Sequence, residues 1–307
     1  MPCFSIIVPC FNAEATIVET LDSLSEQTLP DFEIICVDDG STDATCALIL
    51  AAQKQDSRIS LARNTGKGPS DARNLGALTL AQGEIIAFCD ADDLWATSKL
   101  AYLNVAFRSS SVDAAYSQVA FFDACPEKAT TYSEVPESDL KVSHLLGENP
   151  VCTMSNLAVR REVFADTGGF DAQIVHNEDL EWLIRLVGQG ARVVSIADAL
   201  TYYRRNHGGL SADLPAMAKG RDAALKTAAR FGFHPSKKDE AVHMRYLARR
   251  ALRLGYGRLG AVRFAMRGLL FSPVGFFAQP RRGALTLFGA LVALVLPRRV
   301  NHLLFSR

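Results

Sequence analysis

In residues 84–95, EIIAFCDADDLW, an apolar run stops abruptly at Asp90, Asp92 and Asp93. A short continuous apolar run bounded by turn-forming residues reads as a strand buried on both faces, the usual state of a strand in a parallel sheet. Clustered carboxylates directly after such a strand repel one another and are costly to desolvate, so something has to compensate them.

The sequence around this segment has the matching rhythm. Residues 4–8, 32–37 and 59–62 are further strand-like runs. Between them lie helical patterns over 15–24, where Ile17, Val18, Leu21 and Leu24 share a face, over 44–55, and over 69–81. This alternation predicts an α/β fold with a mostly parallel sheet flanked by helices. Ligands of such sheets bind beyond the carboxyl ends of the strands. That rule collects Asn12, Asp38, Asp39, Asp90, Asp92 and Asp93 on one rim. Asp often does no more than cap the next helix, which suffices for Ser41 and Asp43. Five carboxylates at two strand ends point instead to a binding site. Beyond residue 113, strands are expected at 114–122, 152–159, 191–196 and 200–203, and helices at 160–167 and 178–186.

Bulk properties set the frame. The chain has 307 residues, 49% hydrophobic and 21% charged, which is enough for a large core and excludes bulk disorder. Its formal net charge of zero hides a split: residues 241–307 hold 12 Arg and no Lys, Asp or Glu, so the tail is +12 and the rest −12. Arginines 245, 249 and 253 recur at helical spacing, and 263 and 267 repeat it. An Arg-rich amphipathic tail suits an anionic membrane surface. A cover for the acidic domain or a dimer interface would use the same features. Nucleic acid fits less well, because the aromatics sit inside apolar runs. The expected organisation is a catalytic domain over 1–235 and a basic helical region over 236–307. Run 284–297, ALTLFGALVALVLP, is short for a membrane span and suits a core or interfacial helix. The seven Cys form no CxxC pair and read as reduced thiols. The first residues, MPCFSIIVPCFNAE, have no basic leader region and read as a strand. A cytoplasmic location, peripheral to the membrane, is the expectation.

Carboxylates separated by one residue on a loop suit a hard divalent cation such as Mg²⁺ or Mn²⁺, which prefers carboxylate and phosphate oxygens. Such an ion would compensate the Asp charges and neutralise a departing diphosphate. The ordered segments FSIIVPCFNAEATIVETLDSLSEQTL, FEIICVDDGSTDAT and GPSDARNLGALTLAQGEIIAFCDADD, followed by RREVFADTGGFD and NEDLEWLIRL, closely resemble family 2 glycosyltransferases of the GT-A fold. The resemblance runs over about residues 3–205. It implies an inverting, metal-dependent hexosyltransferase that takes a sugar from a nucleotide-diphosphate donor, UDP-sugar favoured. The acceptor would be a lipid-linked or polysaccharide hydroxyl in cell-surface glycan synthesis. It implies that Pro9 and Asn12 shape the nucleotide pocket and that Asp38 or Asp39 binds nucleobase or ribose. Arg73 would lie near the nucleotide. Asp90 would lie toward the ribose, Asp92 would be the metal ligand, and Asp93 would support either. Asp179 would be the general base that deprotonates the acceptor.

Other residues leave two readings open. Glu178 and Asp179 also make a favourable acidic first helical turn. His207, followed by Gly208-Gly209, could reach the diphosphate or metal from a loop, or be an exposed histidine. Arg204 and Arg205 could pair with diphosphate oxygens or be solvated. Trp182 could stack on a sugar, although a helix-face Trp is more often core. His176 could line the acceptor site. A DxD after a strand also marks aspartate-nucleophile phosphohydrolases, but Leu94 replaces the expected Thr or Val and the motif follows the fourth strand. A phospho-receiver module would be much shorter and would carry a Lys beyond a late strand.

Overall fold

The apolar runs become strands where the rhythm places them. In the computed structural model, which describes residues 2–205, 213–256, 258–296 and 304, β1 (Phe4–Cys10), β2 (Phe32–Asp38), β3 (Ile59–Arg63) and β4 (Ile85–Phe88) lie in the order β3-β2-β1-β4, all parallel. Cys10 sits opposite Asp38 and Ile7 opposite Phe88, so the loops after β1, β2 and β4 open on one edge. The sheet continues through β8 (Leu157–Arg160), β6 (Ala114–Phe122), β9 (Val193–Arg204) and β5 (Leu94–Trp95), with β7 (Thr131–Tyr132) against β6. Among the described residues four of the eight pairings are parallel, and each of these is longer than any antiparallel one. The sheet is therefore mixed and mostly parallel, as expected. Turn 90–93 carries the chain from β4 to β5, whose Leu94 pairs with Tyr202.

Helices cover the sheet because their apolar stripes have nowhere else to go. α1 (Ile17–Ser25) buries Ile17, Leu21 and Leu24 against Phe4, Ile6, Val8, Phe32 and Ile34 in one core. α2 (Thr45–Gln55), α3 (Gly68–Asn74) and α4 (Lys99–Phe107) follow, then α6 (Arg161–Asp166) and α7 (Glu178–Gly188). The helix expected over 69–81 is an α-helix only to Asn74 and a π turn over Leu75–Leu80. The expected strand at 152–159 starts only at Leu157. Cys152 adopts φ 71°, and the Thr153 side chain accepts a hydrogen bond from Ser155 N–H, winding Met154–Asn156 into a 3₁₀ turn. The strands expected at 191–196 and 200–203 are one strand, β9, whose pairing with β6 shifts register at Gln118.

The described residues form two compact units. The first is 1–140 with 150–205; the second is 141–149 with 206–307. The domain division expected at 235 thus falls inside the second unit, between α8 (Leu214–Arg230) and α9 (Lys237–Arg253). This unit also holds α5 (Val142–Leu145), α10 (Arg258–Phe271), α11 (Pro273–Phe276) and α12 (Pro280–Val295). Gly255, at φ 61°, separates α9 from α10 within the region expected to be helical. Ser236 and Asp239 form a reciprocal capping box at the start of α9. The Arg245 side chain does not face solvent as its spacing suggested. It is 2% exposed and donates to Phe276 O at 3.2 Å and Gln279 Oε1 at 3.0 Å, with Glu148 at 3.4 Å. Arg221 similarly ties Leu146 O and Glu240. Burial, with Arg221 nearby, pushes His243 in the same layer down to about 3. No described helix is long and apolar enough to cross a membrane.

Gly83 marks a tight approach of backbone to backbone. Its N–H donates to Ser5 Oγ at 2.8 Å, and a Cβ there would lie 2.7 Å from the Phe4 carbonyl carbon and the Ser5 nitrogen. Gly83→Ala therefore has to displace the start of β1. We expect a loss of about 1–3 kcal/mol, read as a lower urea midpoint at unchanged m-value.

Candidate active site

Arg73 is the centre of the rim. It is the sixth residue of α3, 5% exposed, and its guanidinium donates to Asp90 Oδ1 at 2.6 Å and to Glu178 Oε1 at 3.0 Å. Its carbon lies 5.8 Å from the Phe170 ring centroid. Burial alone would lower the Arg73 pKa, but the charges of Asp90 and Glu178 outweigh it and raise it. Segments 105 residues apart are thereby joined through one side chain. Asn74 strengthens the connection: its Nδ2 donates to Phe170 O and its Oδ1 accepts from Phe170 N–H, both at 2.8 Å. Gly168 and Gly169, at φ 77° and 71°, make the turn that permits this, and a Cβ on Gly169 would lie 2.4 Å from Asn74 Oδ1.

Asp179 follows Glu178 in the first turn of α7, after Asn177 in the left-handed region at φ 58°. The residue keeps partial exposure. Burial of its carboxyl, then the charge of Glu178, push its pKa up to about 7, against a downward pull from the Leu180 N–H and Arg73. A carboxylate poised near neutrality at the edge of a polar cluster has the acidity a general base needs.

Ser155 holds the DADD turn. Its Oγ accepts from Asp90 N–H at 2.9 Å and donates to Asp93 Oδ2 at 2.5 Å. Its carbonyl accepts from Lys99 Nζ at 2.6 Å and Trp95 Nε1 at 2.8 Å. Lys99 is fully buried, also donates to Thr201 Oγ1 at 2.7 Å and lies 4.1 Å from the Trp95 ring centroid. Burial pushes Lys99 down to about 7, against upward pulls from Cys89 and Asp93. Asp93 is itself buried and accepts Arg204 N–H at 3.0 Å; burial, then Asp92 and Asp90, push its pKa well up. Sequence reasoning missed Ser155, Lys99 and Asn74, which carry no motif of their own.

The remaining expected residues are placed as follows. Asp38 accepts Gly40 N–H at 3.0 Å and Ser41 N–H at 3.2 Å. Asp39 accepts Asn64 Nδ2 at 2.7 Å and Gly68 N–H at 2.8 Å, fixing the loop that starts α3. Asn12, at φ 47°, accepts Thr42 N–H at 2.9 Å, while its own N–H donates to Ser41 Oγ at 3.0 Å. Pro9 lies in β1 opposite Val37. Arg204 is turned inward: Nε donates to Asp92 O at 2.9 Å and Nη2 to Glu19 at 2.6 Å. Arg205 pairs with Asp123 at 2.6 Å. Trp182 is core, packed on Phe164 and Phe170 with its N–H on Thr167 Oγ1. His207 lies outside the described residues. Among those described, no three His, Cys, Asp or Glu converge to hold a metal. The donor chemistry nonetheless fits a hard cation shared with substrate. Clustered carboxylate oxygens on one turn are the donors such an ion prefers, and two of them are already held within the chain, Asp90 by Arg73 and Asp93 by Ser155.

Residues 5–168 match the family model described as Glycosyl transferase family 2. The amylovoran biosynthesis glycosyltransferase AmsB of Erwinia amylovora is 32% identical over 209 residues, 65% of this chain and 69% of its own length. WfaP of Escherichia coli, a UDP-Glc:alpha-D-GlcNAc-diphosphoundecaprenol beta-1,3-glucosyltransferase, is 31% identical over 218 residues, 69% of this chain and 81% of its own. The solved structure of the mannosyltransferase PcManGT from Pyrobaculum calidifontis, in complex with GDP-Man and Mn2+, aligns with a TM-score of 0.61 at 22% identity, covering 99% of this chain and 84% of that one. That structural likeness establishes a shared GT-A fold.

Ser155→Ala removes the hydroxyl between Asp90 N–H and the Asp93 carboxyl. Leaving these buried groups without it should cost about 1–3 kcal/mol, seen in urea unfolding. Ser109→Ala, on the surface, is the control and should stay within about 0.5 kcal/mol.

Proposed function

The chain belongs to glycosyl transferase family 2, and from that premise we propose that it moves a hexose from a nucleotide-diphosphate sugar, UDP-linked by preference, to a hydroxyl of a lipid-linked or polysaccharide acceptor. The transfer inverts the anomeric carbon. It serves cell-surface glycan synthesis at the cytoplasmic side of an anionic membrane surface; the name of AmsB, which speaks of amylovoran biosynthesis, and that of WfaP, which speaks of a diphosphoundecaprenol-linked sugar, support the glycan and lipid-linked part of this reading. The observation that carries the reading is the Arg73 bridge, because it sets the Asp90 loop and the Glu178-Asp179 pair around one site.

In this reading the Asp179 carboxylate takes the proton of the acceptor hydroxyl. The acceptor oxygen bonds to the anomeric carbon from the face opposite the leaving group. The bond from that carbon to the diphosphate oxygen breaks, and its electron pair leaves with the nucleoside diphosphate. Mg²⁺ or Mn²⁺, when bound, supplies the positive charge that neutralises this leaving group. Asp92 would hold it, with His207 a candidate second ligand. Asp90, oriented by Arg73 and Ser155, lies toward the ribose, and Asp93 supports the turn from beneath. The loops fixed by Asn12, Asp38 and Asp39, with Pro9 at their root, wall the nucleoside.

Asp179 works only as a carboxylate, so kcat/KM should rise with pH through about 7 and be lost below it. Glu178→Gln removes the second cause of the raised pKa and should move that limb to lower pH. Asp179→Asn should cut transfer by about 10²–10⁴ with nucleotide binding by calorimetry little changed. Full transfer in this variant would overturn the base assignment.

For the metal, Asp92→Asn should abolish the tightening of UDP binding that Mn²⁺ produces in the unaltered protein, measured by titration calorimetry with and without the ion. Equal tightening in both proteins would remove Asp92 from that role.

A further inference from the structure

α12 is built inside out. Its buried face consists of Gly283, Thr286, Gly289, Ala290 and Ala293, while several of its bulky apolar residues are exposed. Phe288 is 68% exposed and Val295 80%, with Leu285 and Leu291 also exposed. α10 repeats the arrangement: Ala261 and Ala265 are buried, whereas Leu259, Met266 and Leu270 are exposed, Leu270 to 82%. The spacing of 259, 263, 266, 267 and 270 runs Arg263 and Arg267 along this apolar stripe, and both arginines are exposed. A groove of about 420 Å³ lies there, lined by Arg263, Phe264, Met266, Arg267 and Leu270. Arg281 stands exposed at the start of α12.

Burying small residues and presenting large ones is unfavourable in water. It becomes favourable when the outward face meets an apolar phase. The charge of the same segment selects that phase: residues 241–307 hold 12 Arg and no acidic residue. A helix of 16 residues is too short to span a bilayer but long enough to lie in its interface. We propose that the outward faces of α10 and α12 are the surface on which this chain seats on an anionic lipid leaflet. Arg263, Arg267 and Arg281 contact headgroup phosphates, while Leu270, Leu285, Phe288 and Val295 enter the acyl boundary. This names the surface for the membrane-side reading above and rests on that reading for its purpose. It also reassigns the contact away from Arg245, whose charge is spent internally on Phe276 O, Gln279 and Glu148.

The test is flotation of the full chain on vesicles of phosphatidylcholine alone or with phosphatidylglycerol. The unaltered protein should float only with phosphatidylglycerol present and should be released by high salt. Arg263→Ser with Arg267→Ser should weaken partition about fivefold per arginine. Leu285→Ser with Phe288→Ser should weaken it about tenfold or more. Both double variants should keep the unaltered far-UV spectrum and Tm. Equal flotation on neutral vesicles, or variants that float like the unaltered chain, would overturn the proposal. So would a dimer, seen by sedimentation, that the variants dissolve while flotation stays unchanged, since the face would then be a contact between copies. Flotation needs neither donor nor acceptor, so intact, variant-sensitive flotation without transfer from any nucleotide-sugar supports this face while sinking the substrate reading.

Discussion

The polar rim of this fold is tied together by one buried cation held between two carboxylates. Arg73 cannot be neutralised and cannot leave, so its burial is tolerable only with Asp90 and Glu178 in place. The dependence is mutual. Without Arg73, Asp90 and Glu178 would each lose the cation that pairs with them. Breaking such a buried pair by removing one partner typically costs about 3–5 kcal/mol. The constraint explains why α3 begins as it does: Asp39 holds Gly68 N–H, fixing the origin from which Arg73 and Asn74 reach toward Phe170 and α7.

A second constraint acts from below. The DADD turn leaves the middle of the sheet at β4 and rejoins it at the edge through β5, so ordinary ladder bonds do not support it. Ser155 supplies that support from the 3₁₀ turn before β8, and Lys99 and Trp95 hold Ser155 by its carbonyl. A neutral hydroxyl suits this place. It satisfies both an N–H and a carboxyl without adding charge to a site already crowded with it.

The parallel half of the sheet was legible in sequence because strands buried on both faces appear as unbroken apolar runs, and the Asp clusters punctuate them. The clustering of Asp90 with the Glu178-Asp179 pair was legible only through family resemblance, since no local pattern places residue 73 beside residue 178. Residues 152–156 were misread as strand because Cys152 takes a left-handed conformation that its residue type does not advertise. The arginine spacing in α9 marked a helical face correctly but not its direction. Arg245 faces inward because Glu148, Gln279 and the Phe276 carbonyl supply partners from residues far away in sequence. α8 went unassigned because its buried residues, among them Gly220, Arg221, Ala224 and Thr227, are small or polar and leave no apolar stripe to read.

The same electrostatics that prepare Asp179 make it a liability to the fold. Its carboxyl titrates near 7 in the folded chain but in the ordinary carboxylate range when unfolded. Between those values the folded state binds the extra proton, so stability falls as pH rises across that window and levels off above about 7. The ionised form, the active one in the proposed reading, is therefore the less stable one. Arg73 limits the penalty from one side, and the Leu180 N–H at the start of α7 limits it from the other. Glu178 works against both, yet it is also the partner that keeps Arg73 in place. The pair Glu178-Asp179 thus divides its labour: one carboxylate is tied up so that the cation stays, and its charge holds the other near the acidity at which it can accept a proton.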